Sequence, residues 1–130
     1  MNPNEKALIL GTGGASKAVS FVLDELGIDY KYVSRSHRDR ALKYNNLDKD
    51  IINSYKIIVN TTPVGTFPNK NECPNIPYKF ITSEHICIDL IYNPEKTLFL
   101  QKCENQGATI RNGYDMLIKQ AEASWKFWNS

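Results

Sequence analysis

Residues 6–18 read KALILGTGGASKA, and this stretch decides the fold that we expect for the chain. Residues 7–10 are apolar without alternation, which is typical of a short strand covered on both faces in a parallel sheet. Gly11, Gly13 and Gly14 then leave a turn without side chains, so backbone N–H groups can approach a diphosphate that the N-terminus of the next helix also attracts. The strict G-x-G-x-x-G spacing needs glycine where Ser16 stands, and a purely structural tight turn is the alternative interpretation.

The residues that follow predict a helix and a second strand. Residues 14–26 carry a helical apolar stripe that Gly27 ends as a C-cap, and the small Ala15 and Ala18 are expected to bring this helix close to the first strand. Residues 30–33 form the expected second strand. Together these segments predict a β-α-β unit with a right-handed crossover.

Basic residues follow the second strand, where residues 34–40 read SRSHRDR. A site for NAD usually ends this strand in Asp or Glu, which accepts hydrogen bonds from the ribose 2′-OH. Arg35 instead offers a guanidinium, which binds phosphate in bidentate geometry and can stack on adenine. The pattern favours a 2′-phosphate and therefore NADP, and a solvated run of charges is the alternative.

The rest of the chain continues the alternation of strands and helices. Strands are predicted at residues 56–59, 86–91 and 108–110. A short helix is predicted within residues 39–54, with Ile51 and Ile52 facing inward. A second helix is predicted over residues 95–106, with Leu98, Phe99 and Cys103 facing inward, and a final helix after Gly113. These elements predict an α/β fold: a three-layer, Rossmann-type domain over residues 1–130, with a mostly parallel sheet and helices on both faces.

Two loops are candidates for ligand contact. Thr61 and Thr62 follow the third predicted strand, at the edge where open α/β sheets bind ligands. Residues 66–78 contain Pro68, Pro74 and Pro77, which predict an irregular surface connection. A long loop of this kind favours a contact with a ligand or with another domain.

Composition narrows the class of protein. The chain has 130 residues, of which 42% are hydrophobic and 23% charged, and a formal net charge of +2 that is too small to indicate nucleic-acid binding. No apolar run approaches the ~20 residues of a membrane span, and residues 1–5 do not resemble a signal peptide, so we expect a cytoplasmic protein with no membrane partner. Cys73, Cys87 and Cys103 lack a C-x-x-C spacing and are interpreted as reduced thiols, and His37 and His85 have no ligands at metal spacing, so no metal is expected.

Five motifs in order carry a resemblance to a known family: GTGGASKA, SRSHR, NTTPVG, DLIYNPEKTLFL and NGYDMLIKQAEASW. Over nearly all its length the sequence resembles the C-terminal, NADP-binding domain of shikimate dehydrogenase. That family reversibly reduces 3-dehydroshikimate to shikimate with NADPH in chorismate and aromatic amino acid biosynthesis. Its substrate is bound by an N-terminal α/β domain, and the active site lies in the cleft between the two domains.

The resemblance also implies roles for individual residues. The implied diphosphate cradle is Gly11, Thr12, Gly13, Gly14 and Ala15; the 2′-phosphate site is Ser34, Arg35, Ser36 and Arg38; Thr61 and Thr62 border the cofactor; Leu90, Gly113 and Met116 lie near the nicotinamide; and Tyr92 and Gln120 reach the substrate. The family's second basic residue aligns near Asp39, so Arg38 and Arg40 are both candidates for that position. Thr66 stands where the family usually has Met.

The resemblance implies no catalytic residue in this chain. The family's catalytic Lys and Asp belong to the N-terminal domain, which we expect to be absent because the sequence starts just before its first strand. Lys17 and Asp89 are interpreted as helix surface and as strand-end structure. We therefore expect NADP(H) binding without turnover, and self-association through an interdomain face that includes Trp125 and Trp128. A free-standing nucleotide-binding or interaction module and a quinate/shikimate dehydrogenase paralogue are the alternatives.

Overall fold

A parallel sheet is the framework of the computed structural model, which describes residues 5–35, 41–65, 68–91 and 96–112. Its strands are β1 (Lys6–Leu10), β2 (Asp29–Ser34), β3 (Leu42–Lys43), β4 (Ile57–Asn60), β5 (Ile86–Asp89) and β6 (Thr109–Asn112). The six strands lie in the order β3-β2-β1-β4-β5-β6, and every neighbouring pair is parallel. The first strand therefore lies in the middle, and the strand order reverses beside it.

Helices cover both faces of this sheet. They are α1 (Gly14–Glu25), α2 (Lys49–Ser54) and α3 (Leu98–Asn105), with short 3-10 turns at Tyr44–Asn46 and Tyr78–Phe80. Because side chains alternate along a strand, Ala7 and Ile9 pack in the cluster that contains α1, whereas Leu8 and Leu10 pack with α2 and α3. The three layers and the strand order confirm the predicted Rossmann-type architecture.

The close packing of α1 does not rest on the small residues that the sequence suggested. Ala15 is exposed and Ala18 half-buried, so that expectation is wrong, and the small residues buried against the sheet are Ser16 and Ser20. Each serine hydroxyl donates to a backbone carbonyl three residues earlier in the chain. Since its polar atom is satisfied within the helix region, a serine can occupy the buried position that the hydrophobic pattern assigns to apolar residues.

Several element boundaries differ from the prediction for local reasons. Strand β5 ends at Asp89, two residues earlier than predicted, because the Asp89 carboxylate accepts the N–H of Ile91, two residues further along the chain, at 2.9 Å. Helix α3 begins after Thr97, whose hydroxyl accepts the Leu100 N–H, and its buried residues include Leu100 whereas Leu98 is only half-buried.

The strand β3, next to β2, was not predicted at all, because a strand of two residues has no measurable periodicity. Leu42 and Lys43 form β3 only by pairing with Val33 and Ser34 of β2. The predicted short helix in residues 39–54 is α2, where Ile52 is fully buried and Ile51 packs at the edge of the same core.

The final predicted helix, including Trp125 and Trp128, lies outside the described residues, so self-association through that helix stays a prediction. Within the described part of the chain, no helix has the length and apolar character needed to cross a membrane. The cysteines Cys73, Cys87 and Cys103 are all free thiols, and the last two are buried.

Candidate functional site

Three loops meet where β1, β2 and β4 end. The Gly11 N–H donates to the Val33 carbonyl at 2.9 Å, and the Thr61 N–H donates to the Leu10 carbonyl at 3.0 Å. The Thr61 hydroxyl donates to the same Leu10 carbonyl at 2.6 Å. These bonds hold the glycine loop between the ends of the two neighbouring strands.

Gly11 is required by this close approach. Its φ of 112° is unfavourable for a residue with a side chain, and a Cβ there would lie 2.7 Å from the Thr61 hydroxyl oxygen. At Gly13 and Gly14, by contrast, a Cβ would meet no atom within 4 Å. No side chain caps the N-terminus of α1 at Gly13. Gly11 is therefore required by the fold. Gly13 and Gly14 leave space through which a ligand can reach the backbone N–H groups of the first turn of α1.

A cavity of about 830 Å³ opens beside the glycine loop. It is lined by the loop after β1 (Gly11, Thr12), the end of β2 (Val33, Ser34, Arg35), Tyr44 after β3, the loop after β4 (Thr62, Pro63, Val64) and the segment Glu72, Cys73, Pro74 and Asn75. The volume is within the range of small-molecule sites, and the position is the crevice at the carboxyl ends of the strands, where the strand order reverses.

The cavity brings together only some of the residues that the sequence singles out. Gly11, Thr12, Ser34, Arg35 and Thr62 line it, whereas Gly13, Gly14, Ala15, Thr61 and Leu90 do not. Leu90 is half-buried at the end of β5 and packs against the α1 side of the core. Ser36, Arg38, Tyr92, Gly113, Met116 and Gln120 lie outside the described residues, as do Arg40, Thr66 and His37.

A buried polar network fixes the loop after β4. Asn60 is fully buried, and its side-chain oxygen accepts the N–H of Thr62 at 3.0 Å and the Thr62 hydroxyl at 2.7 Å. The Thr62 oxygen in turn accepts the Val64 N–H at 3.2 Å. The Thr62 hydroxyl already makes hydrogen bonds within the loop. Thr62 therefore contributes to the shape of the cavity wall.

The same network continues to Asp89, which is fully buried at the end of β5. The Asp89 carboxylate accepts hydrogen bonds from the Asn60 amide at 3.2 Å and from the Thr97 hydroxyl at 2.6 Å. Burial raises the pKa of the Asp89 carboxyl above its usual 3.8, while the hydrogen bonds act in the opposite direction. Every one of its partners belongs to the framework, so Asp89 has the structural role expected at a strand end.

The cavity wall formed by residues 72–75 is anchored to the core. The Pro74 carbonyl accepts the Tyr78 hydroxyl at 2.7 Å, and the Tyr78 ring packs edge-on against buried Phe99. At Gly65, φ is 101° and a Cβ would lie 2.9 Å from the Glu72 carbonyl oxygen, so the loop after β4 packs directly on this wall. The proline-rich segment predicted to be an irregular connection thus contributes fixed residues to the cavity.

The charge of Arg35 is available to a ligand. Its side chain is exposed, and neither of the two ion pairs in the described parts of the chain, Lys56–Glu84 and Lys96–Glu104, includes it. Glu72 lies on the same cavity. The cavity is therefore lined by a cationic residue at the end of β2, beside the glycine loop, and by an acidic residue in the segment 72–75.

Sequence reasoning missed Tyr44 and the four cavity residues 72–75. Tyr44 follows β3, which was not predicted, so nothing in the sequence indicated that it lies beside Arg35. The proline-rich composition of residues 66–78 was the signal for the wall formed by residues 72–75. It predicted a contact but did not identify the residues that make it.

Comparison with known proteins finds similar sequences that cover almost the whole chain. No protein-family model matches the chain. A shikimate dehydrogenase (NADP(+)) of Methanococcus maripaludis strain C7 is 37% identical over 139 residues, which cover 96% of this chain and 49% of that protein. The chain is related to the shikimate dehydrogenases. It spans about half the length of the curated relatives that it matches.

Solved structures of shikimate dehydrogenases share the fold. A chorismate mutase/shikimate 5-dehydrogenase fusion protein from Clostridium acetobutylicum superposes with a TM-score of 0.72 at 32% identity, covering 97% of this chain and 47% of the other. A shikimate 5-dehydrogenase from Thermus thermophilus, solved in complex with NADP(H) and shikimate, gives a TM-score of 0.73 at 28% identity, covering 98% and 50%. The likeness to shikimate dehydrogenases therefore extends from the sequence to the three-dimensional arrangement.

Proposed function

We propose that this chain is the NADP(H)-binding part of a shikimate dehydrogenase, corresponding to the C-terminal domain of that family. The activity proposed for the whole enzyme is the reversible, NADPH-dependent reduction of 3-dehydroshikimate to shikimate in chorismate and aromatic amino acid biosynthesis. The single observation that carries the proposal is the cavity in which Arg35, at the end of β2, lies beside the glycine loop after β1.

The residues of the cavity and of the glycine loop beside it fit a dinucleotide that carries a 2′-phosphate. At Gly11 a side chain would collide with Thr61, and at Gly13 and Gly14 the space beside the backbone is open, which suits a diphosphate. Arg35 replaces the carboxylate that would accept a ribose 2′-OH, and it supplies the positive charge that a phosphate dianion needs. Dihydronicotinamide, when bound, supplies hydride, and this chain's own residues bind and orient the nucleotide.

The remaining site residues are proposed from the family resemblance. Ser36 and Arg38 are assigned to the 2′-phosphate, Thr61 to the border of the cofactor and Leu90, Gly113 and Met116 to the nicotinamide end. Tyr92 and Gln120 are assigned to the substrate. We assign no catalytic acid or base to this chain, because in the family the Lys and Asp pair belongs to the substrate domain. By itself the 130-residue chain is expected to bind cofactor without oxidising shikimate.

Cofactor titration of the 130-residue chain tests this function. Nicotinamide fluorescence is followed as NADPH or NADH is added, and NADPH is expected to bind at least ~10-fold more tightly, the order of one hydrogen bond to a charged group. Equal affinities for the two nucleotides would overturn the assignment of the 2′-phosphate. Oxidation of shikimate by the chain alone would overturn the assignment of acid–base catalysis to another domain.

A further inference from the structure

Tyr44 and Arg35 leave neighbouring strands at the same edge of the sheet. In the parallel β2–β3 pair, the last residues of the two strands, Ser34 and Lys43, are in register. Arg35 and Tyr44 are the residues that follow them. Both residues line the cavity beside the glycine loop. Arg35, which follows β2, thus has as its neighbour the aromatic side chain of Tyr44, which follows β3.

The position of Tyr44 is fixed by its surroundings. The ring is half-buried and packs against the core cluster on the α2 and α3 face of the sheet. Its backbone lies in a 3-10 turn in which the Leu47 N–H donates to the Tyr44 carbonyl at 3.3 Å, and the Asn46 side chain accepts the Lys43 N–H at 2.9 Å. A ring held in this way needs no reorganisation to meet a ligand.

The Tyr44 hydroxyl has no hydrogen-bond partner among the residues that the structure describes, although the ring packs against the core. Burial raises the pKa of this hydroxyl, and the charge of Arg35 acts on it in the opposite direction. The phenol consequently keeps its proton at neutral pH and is a donor beside a guanidinium. A phosphate dianion offers acceptor oxygens to both groups at once.

We propose that the Tyr44 hydroxyl donates a hydrogen bond to the same 2′-phosphate that Arg35 binds, so that residues from two adjacent strands select NADP over NAD. This inference rests on the proposed function, since it assumes that the cavity receives the adenosine end of the dinucleotide. It adds to the Arg35 site a neutral donor that the sequence did not indicate.

The test is the variant Tyr44→Phe, which removes only the hydroxyl and keeps the packed ring. Tyr55→Phe is the matched control, because Tyr55 is also a half-buried tyrosine at the edge of the same core but does not line the cavity. Affinities for NADPH, NADH, 2′-AMP and 5′-AMP are measured on the 130-residue chain. Thermal unfolding of each variant verifies that it folds.

We expect Tyr44→Phe to weaken NADPH and 2′-AMP by about 10-fold, the order for a hydrogen bond to a charged group, and NADH and 5′-AMP by less than about 2-fold. Tyr55→Phe leaves all four affinities unchanged. In the double variant with Arg35→Ala, the loss from Tyr44→Phe is smaller than in the wild type, because the two groups share one phosphate.

Failure of this inference is distinguishable from failure of the proposed function. If the wild type prefers NADPH and Arg35→Ala abolishes that preference, but Tyr44→Phe keeps it in full, the role of Tyr44 is wrong and the function stands. If the wild type shows no preference for NADPH, both are overturned.

Discussion

The Thr97 hydroxyl donates a 2.6 Å hydrogen bond to the buried Asp89 carboxylate and also accepts the Leu100 N–H at 3.3 Å. One side chain therefore joins the end of β5 to the first turn of α3. Through Asn60, the same carboxylate is linked to the loop after β4, which forms part of the cavity wall. The geometry of the site depends on this network, although none of its three buried members is assigned to ligand binding.

Replacing Thr97 with valine tests how much the network contributes to stability. The change keeps the shape of the side chain, removes the cap of α3 and leaves one Asp89 oxygen without its donor, so we expect a loss of about 1–3 kcal/mol in the free energy of unfolding. Urea denaturation measures it. Thr109→Val, at an exposed position of β6, is the control and is expected to change stability by less than about 0.5 kcal/mol. Equal stabilities of the two variants would contradict the role of Thr97.

His85 makes stability depend on pH. The side chain is fully buried. Its Nδ1 accepts the Thr82 N–H at 3.0 Å, and its Nε2 lies 2.8 Å from the Ile52 carbonyl oxygen. Both ring nitrogens of the neutral imidazole therefore have hydrogen-bond partners. Burial lowers the pKa of His85 below its usual 6.5, and the nearby charge of Lys56 acts in the same direction while that of Glu84 opposes it.

The sign of the effect follows from proton binding. Between the lowered folded pKa and the unfolded value of 6.5, the unfolded chain binds more protons at this site, so stability rises with pH in that window. The stabilisation is complete above pH 6.5 and is lost as the pH falls below it. Urea denaturation at pH 7.5 and 5.5 is expected to show a larger pH-dependent loss in the wild type than in His85→Gln, by up to ~1.4 kcal/mol per pH unit. Parallel losses in the two proteins would exclude His85 as the source.

Alanine substitutions in the glycine loop separate a structural role from ligand contact. Gly11→Ala places a Cβ 2.7 Å from the Thr61 hydroxyl oxygen at a φ of 112°, so it is expected to lower stability by about 1–3 kcal/mol. Gly13→Ala meets no atom within 4 Å and its φ of −80° suits alanine, so it is expected to leave stability unchanged within about 0.5 kcal/mol.

The two variants also differ in cofactor binding. Because Gly13 borders the open N-terminus of α1, Gly13→Ala is expected to weaken NADPH while the unfolding midpoint stays the same. The measurement is a fluorescence titration on the variant whose folding has been verified. If Gly13→Ala binds NADPH as the wild type does, the glycine loop is a structural turn only.

Arg35→Ala is expected to reduce affinity for NADPH by about 10–100-fold and affinity for NADH by less than about 3-fold, since only the former carries the phosphate that the guanidinium pairs with. Lys31→Ala removes the same charge from an exposed position earlier on β2 and is the control for general electrostatic attraction. Equal effects of Arg35→Ala and Lys31→Ala would show that the chain attracts nucleotides by net charge and does not read the 2′-phosphate.

Much of the fold follows from short-range patterns. The apolar run before Gly11, the stripe of α1 and the glycines after α1 and α3 give an element order that the structure confirms, because buried parallel strands and helix ends have strong local signals. The two-residue β3 has no such signal and exists only through its pairing with β2. The burial of Ser16 and Ser20 in α1 was not predicted, because hydropathy does not register that their hydroxyls bond to the backbone inside the helix region.

The sequence by itself determined the class of site: a glycine loop after a buried strand and an arginine after the next strand, each recognisable because backbone conformation and charge are properties of single residues. Tertiary structure alone decided which residues share the cavity. Tyr44 and Arg35 are nine positions apart in the sequence, and residues 72–75 are much further from the glycine loop, yet strand register and the anchoring of Pro74 bring them to one cavity. Such neighbours are set by the pairing of strands and by packing against a common core, and these contacts exist only when the whole sheet has formed.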